Sequence, residues 1–400
     1  MLDWLRQRKR MTGGLHFGPP GWSPHEIENH SIPPASPTAE RPIPPVASAN
    51  DTRDCKAFLE LLTRAGITRT STIIPSISEQ IADLSDRRIR SLVLNLLPTQ
   101  PDFALPAALS IAAFDELREG ITALQNFIRA RRLTLVIDRQ DHITARRWKK
   151  ARADSLVNFE IISLLNRYPQ SHHTVLLRTL FGKKLLPSEL PTRANRFVVD
   201  PVACWALGRF LRTSQPLSHR PVQIFICESA RRTVAPRVVM ARLGEPVTDL
   251  LRRLGVTVAN RQIILNGMLT GHEALPDAAI ASDTESIAVR LLPLEELASP
   301  CIACGWCVDV CPTQLNPVGL FDLARTAQGK RGSGVVTTIT PTDGESLGCI
   351  GCGLCSYVCP TRLPLMQELL DLRAQAEIAQ SLVTKVNPGL TEDTLGEDAP

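Results

Sequence analysis

The sequence has few aromatic residues and no strong excess of charge of one sign. Only 4% of its 400 residues are Phe, Trp or Tyr, and its formal net charge is +5. Proteins that bind nucleic acids usually combine a basic surface with aromatic side chains that stack on the bases. The composition therefore argues against a nucleic-acid partner. Hydrophobic residues, at 44%, are sufficient for several buried cores.

Long apolar runs are also missing. The longest, such as residues 92–97, have the length of a β-strand, whereas a transmembrane helix needs about 20 apolar residues. The chain begins with the basic segment MLDWLRQRKR, which is not followed by the apolar segment of a secretory signal. We therefore expect a protein that is soluble or peripheral to a membrane.

Regional composition predicts five parts of the chain. Residues 1–50 hold nine of the 31 prolines, which favours an extended or disordered arm. Predicted strands and helices alternate over 51–215, as in an α/β domain with a parallel sheet. Several strands and one short helix over 216–294 favour a β-grasp-like domain. The cysteine-rich part covers 295–375, and the acidic C-terminus predicts a disordered tail over 376–400.

Eight of the eleven cysteines are concentrated in two short segments, each with the pattern C-x2-C-x2-C-x3-C-P. The second segment repeats the first 48 positions later. The cysteines are Cys301, Cys304, Cys307 and Cys311 in the first segment and Cys349, Cys352, Cys355 and Cys359 in the second. In a chain without a secretory signal, such clusters indicate metal ligands rather than disulfides. Cys55, Cys204 and Cys227 lie in predicted helices or strands, and we assign them no role.

The spacing of these cysteines predicts two 4Fe-4S clusters. Three cysteines that are three positions apart reach three irons of one cluster, while the fourth binds the other cluster in this pattern. The predicted ligands are Cys301, Cys304, Cys307 and Cys359 for cluster 1, and Cys349, Cys352, Cys355 and Cys311 for cluster 2. A zinc site is the alternative, but zinc prefers two C-x-x-C pairs separated by a longer spacer.

Several segments resemble RnfC, a component of the Rnf electron-transport complex. The two cysteine motifs are followed by Leu-Asn-Pro at 315–317 and by Leu-Pro-Leu-Met-Gln at 363–367. The other matching segments are Gly-Gly-Leu-His at 13–16, Tyr-Pro-Gln at 168–170, Gly-Lys at 182–183, Leu-Pro at 190–191, Gly-Glu-Pro-Val-Thr-Asp-Leu-Leu at 244–251 and Ile-Leu-Asn-Gly-Met-Leu-Thr-Gly at 264–271. The resemblance covers most of residues 12–375.

This resemblance implies an α/β fold in three parts. They are a Rossmann-like parallel-sheet domain, a β-grasp domain of the SLBB type and a mainly helical ferredoxin-like domain that binds two clusters. It also implies a peripheral subunit on the cytoplasmic face of the inner membrane. The complex would exchange electrons between ferredoxin and NAD and couple this exchange to ion transport. In the family, RnfC binds FMN and NADH through a glycine-rich loop and an acidic segment.

The sequence departs from the family in both of these segments. At 68–75 it reads Thr-Arg-Thr-Ser-Thr-Ile-Ile-Pro, without the glycines that a phosphate-binding turn needs. At 96–101 it reads Leu-Leu-Pro-Thr-Gln-Pro, without an acidic residue or a cysteine. We therefore expect the FMN and NADH sites to be lost or altered, and we do not expect bound FMN.

The main hypothesis is an electron-transfer subunit that relays single electrons, without a catalytic acid, base or nucleophile. Its partners would be the other subunits of an Rnf-like membrane complex. A basic segment at 146–152 is either a docking face for ferredoxin or flavodoxin or a solvated helix face. Two alternatives stay open: a soluble iron–sulfur flavoprotein that oxidises NADH through a non-standard flavin site, and a structural subunit with incidental clusters.

Overall fold

The computed structural model describes residues 54–84, 88–101, 103–153, 159–229, 232–233, 236–292, 298–331 and 341–386. The expected arm at 1–50 and the last part of the expected tail, 387–400, lie outside these ranges. The described residues form two compact units. The first comprises 54–185 with 189–292, and the second includes 298–386.

The first unit alternates helices with strands. Its helices are α1 (Cys55–Arg64), α2 (Ile77–Ala82), α3 (Leu105–Ala112), α4 (Phe114–Ile128), α5 (His142–Ala153), α6 (His173–Phe181), α7 (Pro201–Thr213) and α8 (Val247–Arg253). Its strands are β1 (Ser91–Asn95), β2 (Arg132–Asp138), β3 (Phe159–Leu164), β4 (Arg196–Val199), β5 (His219–Ser229), β6 (Arg232–Thr233), β7 (Arg237–Arg242), β8 (Arg261–Leu265), β9 (His272–Glu273) and β10 (Ser286–Leu291).

The first four strands form a parallel sheet with the order β3-β2-β1-β4. The predicted Rossmann-like parallel sheet is therefore confirmed. The direction of strand succession reverses between β1 and β4. In open α/β sheets, ligands bind in the crevice beyond the carboxyl ends of the strands at such a reversal. Any cofactor site of this sheet is therefore expected beside the residues that follow β1 and β4.

Both faces of the parallel sheet are covered. Leu92 and Leu94 belong to the larger core, which also includes apolar side chains of α4 and α7. Val93, between them, belongs to a smaller core with Leu176 and Leu177 of α6. Successive side chains of a strand point to opposite faces, so a strand buried on both sides is a continuous apolar run.

Two features differ from what the sequence predicts. Residues 107–132 have helical periodicity in the sequence, whereas the structure divides this stretch into α3 and α4 with a break at Ala113, where φ is −129° and ψ is 40°, and ends α4 at Ile128. Helix α2 is not among the predicted elements, although its sequence carries a helix-start signal. Ser76 accepts a hydrogen bond from the backbone of Glu79, whose carboxylate accepts one from the backbone of Ser76.

The remaining strands of the first unit form a mixed sheet. Strand β5 pairs in parallel with β10 and antiparallel with β7, while β8 lies antiparallel on the other side of β10. Helix α8 covers one face, where Val247, Leu250 and Leu251 pack into a core with Val222 and Ile287. The several strands and single short helix predicted for this region are present in its described residues.

The second unit is mainly helical. Its helices are α9 (Trp306–Val310), α10 (Pro317–Arg331), α11 (Leu354–Val358) and α12 (Leu365–Val386). Helix α12 continues to Val386, so residues 376–386 are helical and the expected disordered tail does not begin at 376. The reason is an apolar stripe, because Leu369, Leu372 and Ala376 are all buried at helical spacing. None of the helices in the described ranges is long and apolar enough to cross a membrane.

Helices α4 and α7 approach each other closely through two glycines. A Cβ atom on Gly120 of α4 would lie 1.8 Å from the carbonyl oxygen of Cys204, and one on Gly208 of α7 would lie 1.8 Å from that of Glu116. Both obstacles are backbone atoms, which cannot move away as a flexible side chain would. These two helices therefore pack through glycine at both sides of their contact.

We expect Gly208→Ala to lower the free energy of unfolding by about 2 kcal/mol, because the added methyl group separates α4 and α7. The loss of packing between the helices exceeds the stabilisation from the higher helix propensity of alanine. Urea denaturation followed by circular dichroism measures this change. The control is Arg118→Ala on the exposed side of α4, where the expected change is within about 0.5 kcal/mol. Equal stability of Gly208→Ala and the unmodified chain would contradict the close packing.

Candidate iron–sulfur site

All eight predicted cluster ligands lie in the second unit, where the two motifs fold alike. Helix α9 begins at Trp306 and α11 at Leu354, again 48 positions apart. In each motif two cysteines precede the short helix, the third lies in it and the fourth follows it. The duplication seen in the sequence is therefore also a duplication of local structure.

The backbone repeats together with the cysteines. Left-handed φ angles occur in pairs at Ala303 and Gly351 (53° and 64°), at Gly305 and Gly353 (77° and 76°) and at Gln314 and Arg362 (62° and 57°). The first two pairs lie between ligands and the third pair follows the last cysteine, and glycine adopts this conformation without steric cost. The two motifs therefore have the same sequence of sharp turns.

The second motif shares a cavity with one cysteine of the first. Cys349, Cys352 and Cys355 line this cavity together with Cys311. This is the ligand set that the spacing predicts for cluster 2, with three cysteines of one motif and the last cysteine of the other. A group with four thiolate ligands therefore fits the residues that are present.

The predicted ligands of the first cluster are only partly brought together. Cys307 and Cys359 pack in one apolar group around Phe321, which also includes Cys355. Cys301 and Cys304 are exposed on the loop before α9. The two ligand sets thus differ in their contact with water, since the second motif is the more deeply buried.

Hydrogen bonds reach the fourth sulfur of each motif. The Thr313 hydroxyl lies 3.5 Å from Cys311 Sγ, and the Thr361 hydroxyl lies 3.2 Å from Cys359 Sγ. The backbone N–H of Leu315 donates to Cys311 Sγ at 3.3 Å. Such bonds orient a ligand and tune the electron density on its sulfur. The two threonines are not among the residues that the cysteine spacing predicts as functional, although Cys-Pro-Thr ends both motifs.

Three cysteine thiols of the shared cavity resist ionisation when no metal neutralises them. Burial, together with repulsion from neighbouring thiolates, raises the pKa of Cys352 to about 12 and that of Cys355 to about 11. Burial also raises the pKa of Cys349, against the N–H of Gly351 and the positive charge of Arg373. Metal ligation requires the thiolate forms, so binding of a cluster would release protons and stabilise this unit.

Cys359 behaves differently. Burial acts to raise its pKa, but hydrogen bonds from the Thr361 hydroxyl and from three backbone N–H groups outweigh this effect and lower the pKa below its ordinary value. This cysteine follows α11 in the second motif and is the predicted fourth ligand of cluster 1. Its thiolate is therefore stabilised by the fold before any metal binds.

No group of three His, Cys, Asp or Glu side chains in the described residues is arranged to share one metal ion. Zinc binds four sulfurs at about 2.3 Å from one point. In a 4Fe-4S cluster each thiolate binds its own iron, so the sulfurs stand farther apart. The four cysteines that line the shared cavity are the set of donors that a 4Fe-4S cluster requires.

Two buried carboxylates lie beside the residues that follow β1 and β4. Asp200 follows β4 and accepts hydrogen bonds from the backbone of Ala203 and from the Thr70 hydroxyl. Glu285, which precedes β10 of the mixed sheet, accepts a hydrogen bond at 2.8 Å from Thr99, which follows β1. These carboxylates are buried, and burial raises the pKa of both.

A buried arginine lies among the same residues. Arg220 of β5 is 0% exposed and donates hydrogen bonds to the backbone carbonyls of Thr70 and Ser282. Its charge favours the ionised forms of Asp200 and Glu285. A buried cation between two carboxylates offsets part of the cost of desolvating all three groups.

The two segments that depart from the family pattern take part in this network. In the first, the hydroxyl of Thr70 and the N–H of Thr72 donate to Asp200 and Glu285, respectively. In the second, the Thr99 hydroxyl donates to Glu285 at 2.8 Å, and the neighbouring Gln100 donates to the Thr270 hydroxyl at 2.7 Å. A phosphate here would meet buried carboxylates and a backbone N–H that is already engaged. The residues present therefore do not fit FMN at this crevice.

The remaining cysteines and the adjacent histidines lie in the first unit. Cys55, Cys204 and Cys227 are on α1, α7 and β5, and burial raises the pKa of Cys204 well above its ordinary value. His172 and His173 are both buried; a ring nitrogen of His172 lies 2.9 Å from the Thr174 hydroxyl, and His173 bonds to backbone carbonyls. These contacts are structural.

Comparison with protein families supports the iron–sulfur interpretation. Residues 300–363 match the family model described as a 4Fe-4S dicluster domain. This match includes both motifs and all eight of their cysteines. The second unit therefore contains a ferredoxin-type domain for iron–sulfur clusters, as the sequence predicts.

Solved structures support the fold alone. The chain resembles a chain of an NAD+-reducing NiFe-hydrogenase in its H2-reduced state, with a TM-score of 0.50 and 13% identity over 85% of this chain and 68% of that one. The air-oxidized state gives a TM-score of 0.51 and 14% identity over 80% and 63% of the two chains.

Curated proteins named as the RnfC component of an ion-translocating oxidoreductase complex are similar in sequence. The protein from Erwinia tasmaniensis is 25% identical over 243 residues, which are 59% of this chain and 30% of that protein. The one from Yersinia pestis is 25% identical over 280 residues, or 68% and 44% of the two chains. The match spans less than half the length of these relatives. The predicted resemblance to RnfC is confirmed.

Proposed function

We propose that this chain is an electron-transfer subunit that carries two 4Fe-4S clusters and relays single electrons between them. Cluster 1 is held by Cys301, Cys304, Cys307 and Cys359, and cluster 2 by Cys349, Cys352, Cys355 and Cys311. The observation that carries this proposal is the cavity that Cys311 shares with three cysteines of the other motif. When bound, the clusters supply the one-electron chemistry, while the chain supplies ligation, burial and docking.

The chain would act within a membrane-bound, ion-translocating oxidoreductase of the Rnf type, as a peripheral subunit on the cytoplasmic face of the inner membrane. The names of its curated relatives support this assignment. The mixed sheet would be the SLBB-like domain of the family. Its β5–β10 parallel pair, flanked by antiparallel strands and covered by α8, supports a β-grasp arrangement.

The same unit would no longer bind FMN or NADH. The support is physical, because Asp200 and Glu285 place buried negative charge where a phosphate group would need N–H donors. Arg220 is held by backbone carbonyls and is not free to reach a ligand. In this proposal the residues beside the crevice bind one another and stabilise the fold, and they do not bind a cofactor.

Helix α5 is the candidate docking face for ferredoxin or flavodoxin. Arg146, Arg147, Lys149, Lys150 and Arg152 are exposed on it, and Arg147 lies over the ring of Phe114 at 4.7 Å. An acidic electron carrier would be attracted to this face at low ionic strength. A solvated basic face without a partner is the alternative.

An enzymatic function is the second candidate. Its support is the Rossmann-like sheet, in a fold that resembles a chain of an NAD+-reducing hydrogenase. Under this hypothesis the chain would bind flavin at a non-standard site and oxidise NADH. The third candidate is a structural subunit whose clusters do not take part in electron transfer.

The crosswise sharing of ligands is tested by two double variants. Cys311→Ala/Cys352→Ala is expected to keep about four irons per chain and one intact electron paramagnetic resonance signal, because both changes affect cluster 2. Cys304→Ala/Cys311→Ala is expected to damage both clusters and to lose both signals. Iron analysis and spectra of the reduced chain after anaerobic reconstitution provide the measurement.

Cys55→Ala is the control, since this cysteine lies in the other unit, and it should retain about eight irons. If Cys304→Ala/Cys311→Ala instead kept one intact cluster, each motif would hold its own cluster and the crosswise assignment would be wrong. Zinc in place of iron in the unmodified chain would contradict the proposed function as a whole.

The absence of flavin is tested on the purified chain. Acid precipitation removes the clusters, whose absorption overlaps that of flavin near ~370 and ~450 nm. We expect no flavin fluorescence in the supernatant, even when FMN is present during reconstitution, and no oxidation of NADH with ferricyanide as acceptor. One equivalent of released flavin per chain would favour the enzymatic candidate instead.

A further inference from the structure

The internal duplication continues beyond the cysteine motifs into the two longer helices. Helix α10 begins at Pro317 and α12 at Leu365, 48 positions later. The buried Ala324 and Leu372 are also equivalent under this offset, and both belong to one apolar group with Cys349. Arg325 and Arg373, the residues that follow them, therefore occupy the same position in the two halves of the duplication.

The two equivalent arginines have different surroundings. Arg373 donates a hydrogen bond from Nη1 to the backbone carbonyl oxygen of Cys349 at 2.5 Å. Its side chain is 26% exposed, and its Nε lies 3.4 Å from the carboxylate of Glu377. Arg325 is exposed and lies over the ring of Phe321 at 5.5 Å. Arg373 thus contacts the first cysteine of its motif, whereas the contact described for the equivalent Arg325 is with Phe321.

The ligands beside these arginines also differ in their exposure. Cys349 is 7% exposed, whereas the equivalent Cys301 is exposed to solvent. Addition of one electron to a four-thiolate cluster increases its negative charge by one. Water stabilises that charge around the exposed Cys301, but less water reaches the buried Cys349, so the charge is less stabilised there. Without compensation, cluster 2 would be harder to reduce than cluster 1.

We propose that Arg373 is a positioning residue whose fixed positive charge, anchored at the Cys349 carbonyl, raises the reduction potential of the cluster held by Cys349, Cys352, Cys355 and Cys311. The inference rests on the proposed function. This role explains why the two equivalent arginines differ. The arginine that is held in place, Arg373, lies beside the buried cysteine, Cys349.

The test is a potentiometric titration of the full-length, reconstituted chain, with dithionite as the one-electron reductant and electron paramagnetic resonance as the readout. The Cys304→Ala chain, which is expected to retain cluster 2 alone, identifies the signal of that cluster. At the wild-type midpoint potential, Arg373→Gln is expected to lower the ratio of reduced to oxidised cluster 2 about tenfold. This corresponds to about 59 mV for a one-electron couple. The signal of cluster 1 should shift much less.

Two further variants separate charge from structure. Arg373→Lys keeps the charge and should restore most of the wild-type ratio. Arg325→Gln removes the equivalent cation of the first half and should leave both midpoints unchanged. The proposal is overturned if Arg373→Gln retains all its iron and titrates as the wild type does, or if Arg325→Gln shifts cluster 2 equally.

The iron content distinguishes a failure of the role of Arg373 from a failure of the proposed electron-transfer function. About eight irons per chain and two signals support the proposed function, whatever Arg373 does. If Arg373→Gln fails to hold cluster 2, then Arg373→Lys decides the question. Full iron content with a wild-type ratio in that variant supports the role of the charge, whereas loss of the cluster there as well means that the guanidinium group is structural and overturns the proposal.

Discussion

The ferredoxin-type unit depends on bringing together thiolates that repel each other. Three of the thiols in one cavity do not ionise readily, as the raised pKa values of Cys349, Cys352 and Cys355 indicate. Only a group that binds all four sulfurs makes their ionised forms favourable. One thiol in that cavity, Cys311, comes from the other motif, so the two halves of the duplication meet at the cavity as well as through their helices. Folding of this unit and cluster binding are therefore expected to be coupled.

The first unit combines a parallel sheet with a network of buried charged groups. The parallel sheet still has a reversal of strand succession between β1 and β4. Its crevice contains Thr70, Thr99 and Asp200 in contact with one another or with Glu285 and Arg220 of the neighbouring mixed-sheet region. Buried charged groups require partners, so these residues constrain how the two sheets pack. A fold likeness to NAD-linked proteins accordingly does not carry the function with it.

The two halves of the second unit have the same fold but different environments. The first loop exposes Cys301 and Cys304, whereas the second buries Cys349. The threonine contacts to Cys311 and Cys359 are symmetric, while the arginine contact to Cys349 is not. Equal ligand spacing therefore does not imply equal redox properties, because these depend on solvent exposure, hydrogen bonds and nearby charge.

The sequence by itself determined the features that depend on local spacing. These are the two cysteine motifs with their offset of 48, the parallel-sheet pattern of the first unit and the loss of glycines at 68–75. It did not reveal the interruption at Ala113 or the helix to Val386, since both depend on packing. Only the tertiary structure decided that Asp200, Arg220 and Glu285 meet, and that Arg373 rather than Arg325 contacts a ligand loop. These contacts join residues far apart in sequence, and no local pattern records which of several charged side chains the fold will bury.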